Sequence, residues 1–245
     1  MNNISKSFPG VQALKNVDFD LRKSEVHCIL GENGAGKSTL IKILSGALRE
    51  DSGIISIDGE PVALDSPAKA HEYGFATIYQ EFNLCPNLSV AANIFLGEEK
   101  LFKKRGLIDR AKMREKAKEY MKKLGVNISP TTRVSSLTVA QQQVVEISKA
   151  LSRGARVIIM DEPTAALSGD EANKLFEVIR YLKENGVSIV YISHRLDEIF
   201  EIGDRITVLR DGAKVRTLES TTEISRQELV SLMVGRKIED WIPKV

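Results

Sequence analysis

The chain has 245 residues, of which 42% are hydrophobic and 28% charged, an ordinary composition for a folded globular protein. This excludes a chain that is mostly disordered. The 35 basic and 33 acidic residues leave a formal net charge of only +2, whereas proteins that coat nucleic acid usually carry a strong basic excess. No run of about 18 apolar residues occurs, so we expect no membrane-spanning segment.

The first residues and the two cysteines indicate the cellular compartment of the protein. Residues 1–6 lack the apolar core and the cleavage site of a secretory signal. Cys28 and Cys85 both lie in apolar surroundings, which favours two small buried side chains over a disulfide. We therefore expect a reducing, cytoplasmic location.

Short apolar runs of strand length alternate with helical patterns along most of the chain. This order predicts a mostly parallel sheet that is covered by helices on both faces. The predicted strands are residues 26–30, 54–57, 75–79, 157–160 and 187–192. The predicted apolar helix faces consist of Leu40, Ile41, Leu44 and Leu48; of Met113, Ala117, Tyr120, Met121 and Leu124; of Val144, Ile147 and Leu151; and of Leu175, Ile179 and Leu182.

Two Asp-Gly pairs predict hairpins and therefore an antiparallel β subdomain. Asp211-Gly212 gives the stronger signal, because it separates two short strand-like runs, and Asp58-Gly59 gives a similar, weaker one. Residues 84–154 read as helices without a strand. We therefore predict a single α/β domain, with its core and β subdomain in residues 1–83 and 155–245 and a helical subdomain inserted at 84–154.

A glycine-rich segment, GENGAGKST at residues 31–39, follows the first predicted strand of the sheet and precedes a helix. It matches the phosphate-binding pattern G-x-x-x-x-G-K-[ST] in the required context. Its glycines let backbone N–H groups turn towards a phosphate, and the helix N-terminus adds partial positive charge. Lys37 is expected to reach the β- and γ-phosphates, and the Ser38 hydroxyl to bind Mg²⁺. The predicted nucleotide-binding residues of this loop are Gly31, Glu32, Asn33, Gly34, Ala35, Gly36, Lys37, Ser38 and Thr39.

Two acidic residues follow the predicted buried strand at 157–160. Asp161 stands at the carboxyl end of a parallel strand, where such a site holds Mg²⁺. Glu162 is expected to orient and deprotonate an attacking water. Two surface acids that merely follow a strand are the alternative. Further on, Ser168 and Glu171 predict a capping box at the start of a helix.

The order of these and four further elements resembles that of the ATP-binding cassette (ABC) ATPases along nearly the whole chain. Phe8 stands where that family has an aromatic ring that stacks on adenine, and Gln80 where its Q-loop glutamine contacts Mg²⁺ and water. Leu137-Thr138-Val139-Ala140-Gln141, hereafter the signature segment, occupies the place of the family's signature motif, and His194 that of the histidine that touches the γ-phosphate. The resemblance implies the ABC ATPase fold, with ATP and Mg²⁺ as ligands. The catalytic residues that it implies are Lys37, Gln80, Glu162 and His194.

Within that family, residues 137–151 and 191–212 look most like the ATPase of bacterial monosaccharide importers, and in particular the first of two cassettes fused in one polypeptide. The resemblance implies ATP-driven uptake of a pentose or hexose through transmembrane permease subunits, fed by an external sugar-binding protein. It also implies a second cassette, either a fused half or another copy. The expected location is cytoplasmic and peripheral, on the inner face of the membrane, and no nucleic-acid partner is expected.

The signature segment departs from the family's Leu-Ser-Gly-Gly-Gln, which meets the γ-phosphate bound by the opposite cassette. Thr138 keeps a hydroxyl, but Val139 and Ala140 replace the glycines, and a β-branched residue does not adopt positive φ cheaply. Thr138 and Gln141 instead predict a helix capping box. We therefore expect an asymmetric pair, in which this signature serves the weaker site. Ser168 stands where the family's D-loop usually has Asp, so that aspartate's contact across the dimer is not assumed.

Two other functions fit a nucleotide-binding loop. A soluble ABC ATPase acting on nucleic acid or the ribosome would have an intact glycine signature and a long charged insertion, and the chain has neither. A weakly hydrolytic, nucleotide-sensing cassette would explain Val139 and Ala140, but Glu162 and His194 argue against it.

Three remaining features have structural as well as functional interpretations. The uncharged residues 82–97 predict either a groove for a helix of a membrane subunit or ordinary core. Residues 98–123 are rich in basic side chains. They predict a solvated helix face with pairs such as Glu119–Lys123, with a nucleic-acid or lipid-headgroup surface as the alternative. His27 and His71 lack any motif context and are predicted to be structural.

Overall fold

A computed structural model describes residues 1–104 and 107–235. In these residues a six-stranded sheet, a four-stranded sheet and a small hairpin are combined with eight α-helices, which confirms the predicted α/β class. The strands are β1 (Asn2–Phe8), β2 (Val11–Val17), β3 (Val26–Leu30), β4 (Ser52–Ile57), β5 (Glu60–Val62), β6 (Phe75–Ile78), β7 (Lys103–Lys104), β8 (Leu107–Ile108), β9 (Val157–Asp161), β10 (Ser188–Ile192), β11 (Arg205–Arg210) and β12 (Ala213–Leu218). The helices are α1 (Lys37–Leu44), α2 (Pro67–Glu72), α3 (Val90–Ile94), α4 (Arg110–Lys123), α5 (Val139–Ser152), α6 (Gly169–Glu184), α7 (Leu196–Ile202) and α8 (Arg226–Val234).

The six-stranded sheet has the order β12-β11-β3-β10-β9-β6, and all neighbours except β11 and β12 run parallel. Every residue of β3 and β10 is buried, as expected for strands whose apolar sequence does not alternate. In register, Ile192 of β10 pairs with Ile29 of β3 and with Asp161 of β9. The loops that follow these three strands therefore begin side by side at one edge of the sheet.

The four-stranded sheet, in the order β2-β1-β4-β5, is antiparallel and packs on the other side of α1. Both predicted Asp-Gly hairpins are confirmed, since Asp58-Gly59 joins β4 to β5 and Asp211-Gly212 joins β11 to β12, each with positive φ at both residues. The β1–β2 hairpin was not predicted. Its strands bury few residues, so their sequence lacks a strong apolar signal.

The helices α3, α4 and α5 pack on one another within the predicted helical region at 84–154, whose boundaries stay a prediction. The uncharged segment contributes Val90, Ile94 and Phe95 to this core, whereas Leu88 is 37% exposed. The core interpretation is thus confirmed for those three side chains. On α4 the basic side chains face solvent, and Glu119 pairs with Lys116 at 2.6 Å rather than with Lys123 as predicted.

Two predictions about local structure are wrong. The region 84–154 does contain strands, because β7 pairs with β8, but each has two residues and is too short to show a pattern. Helix α1 ends at Leu44, so Leu48 is not on its apolar face. Gly46 ends it by taking a left-handed conformation (φ 69°) against Ser66, whose carbonyl oxygen would lie 2.3 Å from a Cβ at Gly46.

Cys28 and His27 have the buried surroundings that were predicted, whereas the prediction that Cys85 is buried is wrong. Both cysteines are free, Cys28 fully buried and Cys85 partly exposed. His27 is buried, and its ring nitrogens lie 2.8 Å from the Asp20 carbonyl and the Thr207 hydroxyl. Among the described residues, no helix combines the length and apolar composition that a bilayer span requires.

Candidate functional site

The loop between β3 and α1 is shaped by glycines that no other residue could replace without strain. Gly34 and Gly36 take left-handed conformations, with φ of 83° and 104°. A Cβ at Gly36 would also lie 2.7 Å from the Ala13 carbonyl oxygen, and one at Gly31 would lie 2.4 Å from the Leu209 carbonyl oxygen. The backbone of the loop therefore lies directly against β2 and β11.

Gly212, in the β11–β12 turn, also packs against the backbone of this loop and of β2. The backbone N–H of Lys15 donates to the Gly212 carbonyl at 2.7 Å, and the N–H of Gly212 donates to the Ala35 carbonyl at 3.3 Å. A Cβ at Gly212 would lie 2.8 Å from the Ala13 oxygen. Strand β2, the phosphate-binding loop and the β11–β12 turn thus meet at Ala13.

Helix α1 begins next to these backbone segments and has no side-chain cap. Gly36 is its N-cap residue, and no acidic residue lies in its first turn. The first amide groups of a helix have no intrahelical acceptor and carry partial positive charge. Ser38 lies in this first turn and is exposed. The start of α1 therefore offers N–H groups and a hydroxyl to a negatively charged ligand.

Lys37 spans the loop. Its ammonium group donates to the carbonyl oxygens of Gly31 at 2.6 Å and Glu32 at 2.9 Å, and the residue is 8% exposed. Burial lowers the pKa of Lys37, and the neighbouring Glu162, Asp161 and Glu32 act in the opposite direction. The Lys37 ammonium is thus held at the loop, where it could neutralise the negative charge of a bound polyphosphate.

Asp161 and Glu162 leave the sheet next to β10. Burial raises the pKa of Asp161, and the carboxylate of Glu162 adds to this rise, while Lys37 opposes it. Glu162 has a φ of 46°, a left-handed conformation that is costly for a residue with a Cβ, and its N–H donates to the Ile192 carbonyl at 2.9 Å. Such conformations persist where the surrounding structure imposes them, often at functional sites.

The strained backbone of Glu162 brings its side chain to His194, the second residue after β10. The carboxylate oxygen Oε1 of Glu162 lies 3.1 Å from Nδ1 of His194. The His194 side chain is 60% exposed and that of Glu162 25% exposed. The two side chains, hereafter the Glu162–His194 pair, are therefore in contact and open to solvent.

Most of the predicted nucleotide-binding residues line one cleft of about 790 Å³, within the size range of small-molecule sites. Phe8, 41% exposed, forms one wall of this nucleotide cleft, together with β2 and Asp211. The other wall contains Gly34, Gly36, Lys37, Ser38, Asp161 and Glu162.

A neighbouring cleft of about 570 Å³ lies on the other side of Glu162, between the loop residues Gly31, Glu32 and Asn33, His194 and Met233. Helix α8 brings Met233 there and is held to β11 by Arg210, whose guanidinium donates to the Leu232 carbonyl at 3.1 Å. Sequence reasoning missed Met233, because a single methionine on a weakly amphipathic helix carries no motif. Glu162 thus lines both clefts, whereas His194 lines the second one.

The structure does not bring Gln80 or the signature segment to these clefts. Gln80 is exposed just beyond β6, and within the described chain it is absent from the lining of either cleft. The signature segment begins α5 with the predicted capping box: Thr138 N–H donates to Gln141 Oε1 at 3.0 Å, and Gln141 N–H donates to Thr138 Oγ1 at 3.3 Å. Their predicted roles remain predictions.

A third cleft, of about 600 Å³, lies between α2, β6 and α5 and is hereafter the α2–α5 cleft. Three residues that line it each have a buried polar atom without a hydrogen-bond partner in the described part of the chain: Nε2 of His71, Oε1 of Glu146 and Nε of Arg153. Burial raises the pKa of Glu146. Buried polar groups normally have partners, so this cleft is suited to a polar segment of another molecule.

The nucleotide cleft has the ligands that a Mg²⁺–triphosphate requires. Ser38 supplies a hydroxyl and Asp161 a carboxylate, both hard oxygen donors of the kind that Mg²⁺ prefers. The raised pKa of Asp161 reflects a carboxylate whose charge is incompletely balanced by Lys37, and a cation there would relieve this imbalance. The residues therefore fit a magnesium ion with a polyphosphate.

Comparison with known proteins gives a family. Residues 14–165 match the family model described as ABC transporter. The chain is 54% identical over 244 residues to the ribose import ATP-binding protein RbsA 1 of Streptomyces avermitilis, covering 100% of this chain and 46% of that protein. It is also 54% identical over 245 residues to a putative ribose/galactose/methyl galactoside import ATP-binding protein of Agrobacterium fabrum, of which it covers 48%. The chain thus spans about half the length of the curated relatives it matches.

Solved structures agree with this similarity. An ATP-binding cassette of an ABC transporter in its ADP conformation superposes with a TM-score of 0.84 at 27% identity, over 96% of this chain and 97% of that one. A dimeric bacterial ABC transporter cassette superposes with a TM-score of 0.73 at 28% identity, over 89% and 97%. Such cassettes therefore share the fold of most of this chain.

Proposed function

Since the chain belongs to the ABC transporter family, we propose that it is a cassette that binds and hydrolyses ATP to power a sugar importer. The observation that carries this proposal is the convergence on one cleft of Lys37, the start of α1, Asp161 and Glu162, whose carboxylate contacts His194 at the edge of the neighbouring cleft. A binding module alone would not need a carboxylate held in a strained conformation against a histidine. The site therefore favours a reaction at the terminal phosphate.

The proposed reaction is attack of water on the γ-phosphorus of ATP, which breaks the bond from that phosphorus to the β,γ-bridging oxygen and releases ADP and inorganic phosphate. The amide groups at the start of α1 and the Lys37 ammonium bind the phosphate oxygens and stabilise their charge. Glu162 accepts a proton from the attacking water, and His194, whose Nδ1 faces Glu162, has Nε2 available for the γ-phosphate. Phe8, exposed in the opposite wall, is proposed to stack on the adenine.

Ser38 and Asp161 would hold Mg²⁺ beside the β- and γ-phosphates, and Gln80 remains a further proposed ligand. When bound, the ion would neutralise charge on the phosphate oxygens. Lys37 would share that task from the loop side. The charge of the ion would then oppose the burial and the Glu162 carboxylate, which raise the pKa of Asp161.

The cargo and the second cassette are proposed from the relatives. Their names include ribose import and ribose/galactose/methyl galactoside import, so a pentose or hexose is the proposed cargo. Because the relatives are about twice as long, a second cassette is proposed as a fused half, with another copy of this chain as the alternative. The signature segment would then face the nucleotide of that second cassette.

The α2–α5 cleft is the proposed contact with a membrane permease. It adjoins the segment after β6 that includes Gln80. The unpartnered atoms of its lining residues, Nε2 of His71, Oε1 of Glu146 and Nε of Arg153, suit a polar helix from another subunit. This contact would hold the cassette peripherally on the cytoplasmic face of the membrane. The external sugar-binding protein would act through the permease.

A weakly hydrolytic, nucleotide-sensing cassette is the second candidate, and the capping box of α5 favours it. Gln141 N–H and Thr138 N–H are already bonded to each other's side chains, so fewer donors are available for a γ-phosphate on the opposite cassette. The two candidates differ in whether Glu162 affects turnover.

ATP hydrolysis per chain, measured against protein concentration with nucleotide binding followed in parallel, tests the proposal. Specific activity that rises with concentration and is lost in Glu162→Gln supports a hydrolysing cassette that works in pairs. Binding without turnover at any concentration shows that a different cassette must supply the signature. Turnover that is independent of concentration and shows no dimer contradicts the two-cassette mechanism.

A further inference from the structure

A buried carboxylate lies behind the Glu162–His194 pair. Glu198, in the first turn of α7, is 4% exposed, and both of its oxygens are hydrogen-bonded. It does not line either cleft at the site, and the sequence around it carries no known chemical motif. A buried ionised group is costly unless several donors surround it, so its surroundings indicate what it does.

The donors come from the two loops that carry the pair. Thr164, the second residue after Glu162, donates its hydroxyl to Oε1 of Glu198 at 2.6 Å. Ser193, which precedes His194, donates its hydroxyl to Oε2 at 2.8 Å. One carboxylate therefore bridges the loop after β9 and the loop after β10.

Two further side chains complete the arrangement on the His194 side. Tyr191, at the end of β10, donates to Oε2 at 2.8 Å, and Nη1 of Arg195 lies 3.1 Å from Oε1. Burial and the adjacent Glu198 raise the pKa of Tyr191, so its hydroxyl stays a donor. The N–H of Arg195 also donates to the Ser193 hydroxyl at 3.0 Å. His194 is thus flanked on both sides by residues bound to Glu198.

We propose that Glu198 is a positioning residue that fixes His194 against Glu162 by holding the two loops through Thr164, Ser193, Tyr191 and Arg195. This role rests on the proposed hydrolysis at the Glu162–His194 pair. Thr164 and Ser193 approach different oxygens, so rotation of the carboxylate would break one of the two bonds. The 3.1 Å contact between Glu162 and His194 depends on both.

The variant Glu198→Gln tests this role, with Glu201→Gln as its matched control. Glutamine keeps the shape but presents an NH₂ group, a donor, where the carboxylate accepts from hydroxyls. Glu201 lies on the same helix in an exposed ion pair with Arg180, so its variant removes a charge without touching either loop.

NMR signals of the histidine rings report on the contact between Glu162 and His194. The chain has only three histidines, His27, His71 and His194, so their signals can be assigned. In the unsubstituted protein and in Glu201→Gln, adding Glu162→Gln should shift the His194 ring signals. In Glu198→Gln, adding Glu162→Gln should leave them unmoved, because the pair is already apart. Unchanged His27 and His71 signals report an intact fold. A His194 signal that still responds to Glu162→Gln in the Glu198→Gln background overturns the proposal.

Turnover supplies the second readout. Glu198→Gln should lower kcat about tenfold to 100-fold, the effect of a small misplacement of reacting groups, while KM for ATP stays within about twofold. Equal loss in Glu201→Gln, or unchanged kcat in Glu198→Gln, contradicts the proposal. If the unsubstituted protein neither binds ATP nor hydrolyses it, alone or with a second cassette, the proposed function fails, whereas the NMR result still decides whether Glu198 holds the pair.

Should Glu198→Gln fail to fold, Tyr191→Phe removes one donor and keeps the charge. We expect a smaller change of the same kind, with a weaker response of the His194 signals to Glu162→Gln. A Tyr191→Phe protein with lower thermal stability and unaltered His194 response would assign the network to stability alone.

Discussion

Two helices of this protein begin in opposite ways. Helix α1 starts at Gly36, in a left-handed conformation and without a side-chain cap, against the backbone of β2 and the β11–β12 turn. Helix α5 starts at Thr138, in an extended conformation, with a complete capping box at an exposed corner. The first leaves its N–H groups to a ligand, whereas the second binds its own N–H groups with its own side chains.

The difference teaches that a helix N-terminus becomes an anion site only when the chain leaves it uncapped. An ordinary cap contributes about 0.5–2 kcal/mol to stability, and α1 lacks one. Gly36 also costs conformational entropy on folding. The signature segment has the opposite balance, since Val139 and Ala140 favour a stable helix over close approach to a phosphate.

The largest effect should come from changing Glu162, the carboxylate that lies in the cleft at the start of α1. Glu162→Gln removes the base and should lower turnover about 10²–10⁴-fold, while ATP binding is kept. Glu171→Gln, at the exposed cap of α6, is the control, because glutamine can serve in a capping box. Turnover of both variants and affinity for a fluorescent ATP analogue check the prediction; equal turnover would show that Glu162 is not the base.

The next effect concerns the shape of the loop. Gly36→Ala should weaken ATP binding about tenfold or more, because a left-handed alanine costs about 1–2 kcal/mol and its Cβ would contact the Ala13 oxygen. Gly59→Ala is the matched control, with φ of 89° but no heavy atom within 4 Å of the added Cβ. Calorimetry should show unchanged affinity for Gly59→Ala. Similar affinities for both variants would mean that the close approach of the loop to β2 is unimportant.

Making the α5 end more like the α1 end should raise activity at a cost in stability. In a two-cassette protein, Val139→Gly with Ala140→Gly should increase turnover severalfold, because the backbone can approach the opposite phosphate. The free energy of unfolding should fall by about 0.5–1 kcal/mol for each glycine. Single-turnover assays at each site, together with chemical denaturation, measure both effects. Unchanged turnover at both sites would end the proposed asymmetry.

The smallest effect separates stability from function in the nucleotide cleft. Because burial raises the pKa of Asp161, its ionised form destabilises the fold as pH rises through the carboxyl range. Asp161→Asn should therefore raise the Tm of the nucleotide-free protein at pH 7 by about 2–4 °C, a shift kept small by solvent at the open side of the cleft. The difference should vanish below about pH 3, where the carboxyl is largely protonated in both the folded and the unfolded state.

Asp51→Asn is the control with the opposite sign. Hydrogen bonds from Lys6 and from the Ser7 N–H lower the pKa of Asp51, so its charge stabilises the fold. Its replacement should lower Tm at pH 7, and this difference should also vanish in acid. A Tm that falls in Asp161→Asn at pH 7 would show that Lys37 fully compensates the Asp161 charge.

The sequence was most informative where local chemistry determines structure. The residues after β3, the acidic pair after β9 and the capping boxes at Thr138 and Ser168 were all predicted, because each depends on neighbours within a few positions. The left-handed backbone of Glu162 was not predictable. It results from the bond to Ile192, thirty residues along the chain, on a neighbouring strand.

Residues that act only through distant contacts were missed for the same reason. Glu198 looks like any acidic residue in a first helical turn, and only the fold shows that Thr164 and Tyr191 donate to it. The β1–β2 hairpin carries Phe8 into the nucleotide cleft, yet its half-exposed strands resemble loop sequence. Gln80 shows the opposite case, in which a position suggested by resemblance lies outside the cleft.

The meeting of three backbone segments at Ala13 has a consequence for how the protein is made. Strand β2 and the phosphate-binding loop leave the ribosome early, but the third contact is supplied by Gly212, about two hundred residues later. Contacts of such sequence separation form late in folding. A nascent chain therefore cannot complete its nucleotide cleft until the β11–β12 turn has been synthesised, so ATP cannot stabilise this part of the fold before that point.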